Sequence, residues 1–199
     1  MRTVLMSCAV ALLISVAACG SDETAGSTTE KSTPRALAAV LVEKLDKTTK
    51  AEASEGIDYY GDGAVGATVH LAPETQVSLV VGDDLPHELT SCKAKADLRD
   101  ACVEIGDAVL TWTKEEPEED FGEINVAVPK GKGWALATQT GTFVTADPRT
   151  LDLDVSVDDM LALARDKRVG LTTTPATIAA GDKVPNWHGP NKNPVYDDA

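Results

Sequence analysis

The stretch Cys102-Val103-Glu104-Ile105-Gly106-Asp107-Ala108-Val109-Leu110-Thr111-Trp112 decides the fold. Two β-rich runs flank Gly-Asp, a two-residue link suited to a tight hairpin, so antiparallel strands are predicted over 102–105 and 108–112. Beyond it lies an acidic loop, Glu115-Glu116-Pro117-Glu118-Glu119-Asp120, and then a second hairpin. Its strands run from Ile124 to Val128 and from Trp134 to Thr140, joined by Pro129-Lys130-Gly131-Lys132-Gly133. A further short strand is expected at Thr142 to Thr145. On the N-terminal side, Ala67-Thr68-Val69-His70-Leu71 alternates and is β-branched, and Val77, Leu79, Val80 and Val81 form a buried-strand pattern. Strands are therefore predicted near 66–72 and 76–81.

Helices bracket this β-rich middle. Thr33-Pro34 has the form of an N-cap followed by proline at the first helical position, where its missing N–H is harmless. Leu37, Val40, Leu41 and Leu45 recur at helical spacing, so a helix over 34–50 should turn those four inward. A second helix is predicted from Val155 to Lys167, with Ser156 as N-cap and Asp158 and Asp159 in its first turn. Arg165, Lys167 and Arg168 lie near its end, where cations suit the helix dipole. After Gly170 the threonine-rich stretch and Pro175 break regular structure. The expected class is α+β: an antiparallel sheet of about five to seven strands carrying an N-terminal and a C-terminal helix, with one disulfide.

The chain begins with Arg2, an apolar run from Val4 to Val16, and the small residues Ala17 and Ala18. These are the three parts of a secretory signal. The run is too short to cross a bilayer, which takes about 20 apolar residues, and Gly20-Ser21-Asp22-Glu23 ends it. An ordinary secretory signal with a cysteine at the cut site is the alternative. Val16-Ala17-Ala18-Cys19 resembles the lipobox of bacterial lipoproteins, with valine where leucine is most usual. That resemblance implies a diacylglyceryl group on the Cys19 thiol, cleavage before Cys19, and attachment to the outer face of the cytoplasmic membrane. Two or more acyl chains suffice for stable anchoring. The expected organisation is a signal peptide over 1–18, a flexible tether over 19–33 that lacks large apolar residues, one α+β domain over 34–183, and a disordered tail over 184–199.

With Cys8 removed and Cys19 assigned to lipid, Cys92 and Cys102 remain. In an oxidising compartment such a pair is expected to form a disulfide; a metal or redox role is the alternative, although nine intervening residues are unlike a redox motif. The net charge of −14 argues against binding nucleic acid or anionic lipid, since counterion release needs a basic face. Acidity otherwise serves solubility or attracts cations and basic partners. From Cys92 to Gly170, the cysteine pair, Gly-Asp turn, tryptophan-bearing hairpin and closing Leu161-Ala162-Leu163-Ala164-Arg165-Asp166 resemble uncharacterised small lipoproteins of actinobacteria. That resemblance implies no reaction.

Motifs of chemistry are few. Gly61-Asp62-Gly63-Ala64-Val65-Gly66 satisfies G-x-G-x-x-G, and Asp83 follows at a suitable distance. The fingerprint needs a helix opening from it, however, and here a strand follows. No Walker loop, G-x-S-x-G or H-E-x-x-H is present, and His70 and His87 lack a neighbouring third histidine for zinc, His188 falling in the tail. Asp147, Asp152, Asp154, Asp158 and Asp159 are candidates to gather calcium, or Asp158 and Asp159 simply serve the helix start. Paired carboxylates for glycoside hydrolysis need a geometry that sequence does not give. The expected protein is a monomeric, non-enzymatic module without cofactor, bound to the membrane through lipid on Cys19 and meeting an envelope protein. The alternative is a carrier of a small apolar envelope ligand, with a hydrolase behind both. An apolar cavity between sheet and helices would mark the carrier, and a filled core the interaction module.

Overall fold

In the computed structural model, residues 28–71, 74–94, 99–116 and 121–190 are described. Val16 to Cys19, the loop core 117–120 and the last nine residues lie outside them. In chain order the elements are β1 (Glu30–Lys31), α1 (Pro34–Lys44), β2 (Thr48–Ala53), a 3-10 turn (Ile57–Tyr60), β3 (Val65–Leu71), β4 (Gln76–Gly82) and α2 (His87–Thr90). There follow β5 (Ala101–Ile105), β6 (Ala108–Thr113), β7 (Glu123–Lys130), β8 (Gly133–Thr140), a 3-10 turn (Pro148–Thr150), α3 (Val157–Arg165), β9 (Thr172–Thr173), α4 (Pro175–Gly181) and β10 (Trp187–His188).

The fold is α+β around one mixed sheet of eight strands in the order β10-β2-β3-β4-β8-β7-β6-β5, with β1 and β9 forming a separate pair. The expected antiparallel sheet of five to seven strands is therefore corrected in two respects. Strand β2 enlarges it, and β10 lies parallel to β2, pairing Trp187 with Ala51 and His188 with Glu52. All other neighbours are antiparallel. Both predicted hairpins are present. Gly106 turns the first at φ +67°, where a Cβ would be strained, and Gly131 turns the second at φ +61°. Cys92 and Cys102 form a disulfide with Cα atoms 5.5 Å apart, joining the loop after α2 to β5.

One sheet face is apolar by strict alternation. Val65, Ala67 and Val69 of β3, Val77, Leu79 and Val81 of β4, and Ile124, Val126 and Val128 of β7 are buried under the helices. α1 covers them with Leu37, Val40, Leu41 and Leu45, and α3 with Met160, Leu161 and Leu163. The caps are as predicted: Thr33 accepts from the Ala36 N–H at 3.2 Å, and Ser156 accepts from Asp159 N–H at 3.1 Å.

Four local expectations differ. α1 ends at Lys44 rather than at residue 50, because Leu45 is extended and Lys47 takes φ +65°. The chain then reverses into β2, whose Ala51 and Ala53 are buried; pairing with β3 overrides the helix-friendly composition of Thr-Thr-Lys-Ala-Glu-Ala. Thr142 to Thr145 is not a strand. Instead buried Val144 is gripped singly, its carbonyl accepting from Glu115 N–H and its N–H donating to Phe121 O. Beyond Gly170 the chain is regular, since Thr174 and Pro175 open α4 as Thr33 and Pro34 open α1. Finally, Glu30–Lys31, in the stretch expected as tether, and Trp187–His188, in the stretch expected as tail, are strands.

Long-range charge ties α1 to the end of α3. The Arg168 guanidinium donates to Glu43 at 2.6 and 3.0 Å and to Asp166 at 2.8 and 3.0 Å. These bonds from Arg168 hold the Asp166 carboxyl below its ordinary value of 3.8. A carboxylate with a depressed folded pKa stabilises fully above its unfolded value and loses that contribution as pH falls through the folded value. Urea midpoints should therefore drop between pH 5 and pH 3, and less steeply in Asp166→Asn. Packing is tested at Gly181, where a Cβ would stand 2.8 Å from Ala36 N and Arg35 C. Gly181→Ala should cost roughly 1–3 kcal/mol in urea unfolding by forcing α4 off α1.

Candidate functional site

The second face of the sheet is divided. Toward the end bearing the Gly106-Asp107 turn it is apolar, where Val80, Ala127 and Leu136 pack with Ile57 and Leu85, supported by Tyr60, Leu89 and Trp134. Toward the other end it is polar in complete cross-strand rows. One row runs Glu52, Thr68, Ser78, Thr138, Asn125, Thr111 and Cys102 through successive pairings of β2, β3, β4, β8, β7, β6 and β5. The next runs Lys50, His70, Gln76, Thr140, Glu123 and Thr113. Period-two alternation produces both rows, since residues two apart on a strand share a face.

Hydrogen bonds hold the first row in two segments, while the hydroxyl of fully buried Thr111 has no partner among the described residues. Thr68 Oγ1 lies 2.9 Å from Ser54 Oγ and 2.8 Å from Ser78 Oγ. Thr138 Oγ1 donates to Asn125 Oδ1 at 2.7 Å, and Asn125 Nδ2 donates to Glu123 Oε1 at 2.5 Å. At the β2 end, Lys50 Nζ and His70 Nε2 each sit 2.6 Å from the Glu52 carboxylate. Burial pushes the Glu52 carboxyl up, and the bonds from Lys50 and His70 more than offset this, leaving it below the ordinary carboxylate range. Burial, with the Glu123 and Tyr59 charges, raises the Tyr60 phenol. Gln76 at the centre of the second row is exposed, while Lys50, His70, Thr140 and Glu123 are half-buried. Near Glu123 an exposed aromatic pair, Phe121 and Phe143, meets edge to face with centroids 5.0 Å apart.

The residues singled out by sequence fall elsewhere or apart. Cys19 lies outside the described residues. His70 belongs to the polar face, His87 opens α2, and exposed His188 lies on edge strand β10. Gly61 and Gly63 form a turn with φ +100° and +80° and lead into β3, so the G-x-G-x-x-G match precedes a strand and opens no helix. Among the five aspartates considered for calcium, Asp147 is engaged by Arg149, Asp159 by Ser156 and Asp154 by Thr75, while Asp152 and Asp158 are exposed. Among the described residues no three His, Cys, Asp or Glu side chains are grouped to hold a metal. What sequence reasoning missed is the row itself: Lys50 was placed at the end of the helix expected over 34–50, and no strand was expected at Glu52. The alternation of Glu123 with Asn125 and of Thr138 with Thr140 was the available signal. No helix among the described residues is long and apolar enough to cross a membrane.

No protein-family model matches the chain. No curated protein matches it either. The polar face is thus read from geometry alone, and its chemistry is hydrogen bonding by hydroxyls and amides over a rigid floor. Its two rows should differ in cost. Asn125, only 6% exposed, leaves Thr138 and Glu123 unsatisfied when truncated, so Asn125→Ala should lose about 1–3 kcal/mol. Exposed Gln76→Ala should stay within about 0.5 kcal/mol of wild type. Chemical denaturation of both variants checks the contrast.

Proposed function

We propose that the protein is a non-enzymatic binding module, tethered to the outer face of the cytoplasmic membrane by lipid on Cys19, which meets an envelope protein through the open polar half of its sheet. The observation that carries this reading is the pair of polar rows running across six or seven strands on the face without the main helices. A face meant only for solvent needs no ordered network of hydroxyl and amide bonds. A face that meets a partner gains from groups already fixed in place, because less rotamer freedom is lost on docking. Phe121 and Phe143 add an aromatic edge of the kind enriched at interfaces.

The carrier of an apolar ligand is less well supported. The space between sheet and helices is occupied by Leu37, Leu41, Leu79, Leu110, Ile124, Met160 and Leu163, all essentially inaccessible to solvent. Surface depressions of about 430, 560 and 100 Å³ are each lined by charged side chains, unlike the mainly apolar wall that such a ligand requires. Membership among bacterial lipoproteins rests on the lipobox resemblance of Val16-Ala17-Ala18-Cys19, and the actinobacterial likeness on the pattern from Cys92 to Gly170.

Two measurements test the proposal. Cys19→Ser should move the full chain from the membrane fraction to the soluble fraction; unchanged fractionation defeats the anchor. A photo-crosslinking side chain at position 76 or 140 should give one discrete adduct in intact cells, absent when the crosslinker is at Lys183 beside α4. The same adduct from all three positions, or none from the face, defeats the binding surface.

A further inference from the structure

Between the end of α1, the far end of β3 and the start of α3 lies a depression of about 430 Å³, within the size range of small-molecule sites. Its floor is apolar, made by the buried side chains Leu45, Leu71 and Val155. Its rim is charged and of both signs. Lys44 and Lys47 come from the α1–β2 connection with Asp46 between them, and Asp154 and Asp159 come from the approach to α3 and its first turn.

Three features distinguish this rim from an ordinary solvated edge. First, although ammonium and carboxylate groups share one small depression, neither Lys44 nor Lys47 forms an ion pair among the described residues. The two signs line one depression with their charged groups open to solvent and to a ligand. Second, two carboxylates are fixed from behind: Thr75, itself 2% exposed, donates to Asp154, and Ser156 Oγ donates to Asp159 Oδ2 at 2.6 Å. Third, Lys47 stands at φ +65°, where glycine is the usual residue. A lysine kept in so unfavourable a backbone conformation is the kind of outlier from which use of its side chain is inferred.

We infer that this depression binds a small zwitterion, an amino acid or short peptide with free termini. Its carboxylate faces Lys44 and Lys47, its ammonium faces Asp154 and Asp159, and its apolar side chain rests on Leu45, Leu71 and Val155. The alternatives fit less well. A simple anion meets three carboxylates, a metal cation meets two ammonium groups, and an uncharged apolar ligand desolvates five charges without replacing their water. Only a ligand carrying both charges satisfies both walls at once. The site lies on the helix side of the sheet and does not depend on the polar face serving a partner.

The test uses the purified full chain and L-alanyl-L-alanine, followed by calorimetry and by amide NMR shifts at Lys47 and Asp154. The dipeptide should bind saturably and shift both amides, while its N-acetyl derivative and its C-terminal amide, each missing one charge, should bind about fivefold more weakly or worse. Lys47→Gly supplies the residue type that the backbone favours. It should keep or raise Tm and yet weaken dipeptide binding by about fivefold or more, separating recognition from folding. Absence of saturable dipeptide binding, equal binding of the two blocked derivatives, or wild-type affinity in Lys47→Gly would overturn the inference.

Discussion

The pairing of β4 with β8 is the constraint on which the rest of the structure depends. It joins two antiparallel units, β2-β3-β4 and β5-β6-β7-β8, that are each contiguous in sequence. Its register runs from Gln76 opposite Thr140 to Gly82 opposite Trp134. That register puts Leu79 against Ala137 on the helix face and Ser78 against Thr138 on the open face. A slip of one residue would send each set to the wrong side. The two strands approach so closely at one end that a Cβ on Gly133 would lie 2.5 Å from Gly82 O, so the glycine that opens β8 is a steric requirement of the joint, whereas a Cβ on Gly82 would meet the Tyr60 carbonyl.

Strand β8 could not have set this register by itself. Trp134, Leu136, Thr138 and Thr140 face one way, and Ala135, Ala137 and Gln139 the other, so neither side is clearly the apolar one. Its neighbours decide. Ile124, Val126 and Val128 of β7 and Val77, Leu79 and Val81 of β4 are unambiguous, and both turn toward the helices. One consequence is that Gln139 is carried into the core between Val77 and Ile124, fully buried, with neither amide atom hydrogen-bonded. A buried amide of this kind is costly. It is tolerated because the opposite choice would bury Thr138 and Thr140 and expose the apolar rows of both neighbours.

The same division between local and distant determinants explains what could be foreseen from sequence. The two hairpins were legible because their turns and their apolar alternation lie within about a dozen consecutive residues. The capped starts of α1 and α3 were legible for the same reason. Strand β2 was not: Thr-Thr-Lys-Ala-Glu-Ala contains no large apolar residue, and its strand conformation comes from pairing with β3. The two-residue strands β1, β9 and β10 have no periodicity to read. α4 did announce itself through Thr174-Pro175, but the surrounding threonines and short length obscured it. For the candidate face, Asn125, Thr138 and His70 sat on strands that were foreseen, yet their assembly into rows required the β4–β8 pairing, which no local pattern specifies.

Charge shows the same limit of composition. The chain is strongly acidic, yet the basic side chains near the ends of α1 and α3 have distinct local roles: Arg168 bridges Glu43 and Asp166, Arg165 pairs with Asp107, and Lys130 donates to the Asp166 carbonyl at 2.8 Å. Lys44 adjoins that network, its charge helping to lower the Glu43 and Asp166 carboxyls, and with Lys47 it also lines the depression that holds Asp154 and Asp159. Net charge therefore describes how the molecule repels others like it at a distance, while recognition within a Debye length is set by where individual ions are fixed. The polar rows and the charged depression lie on opposite sides of the same sheet. The apolar core between them is closely filled, so occupation of one surface can influence the other only through the strands they share.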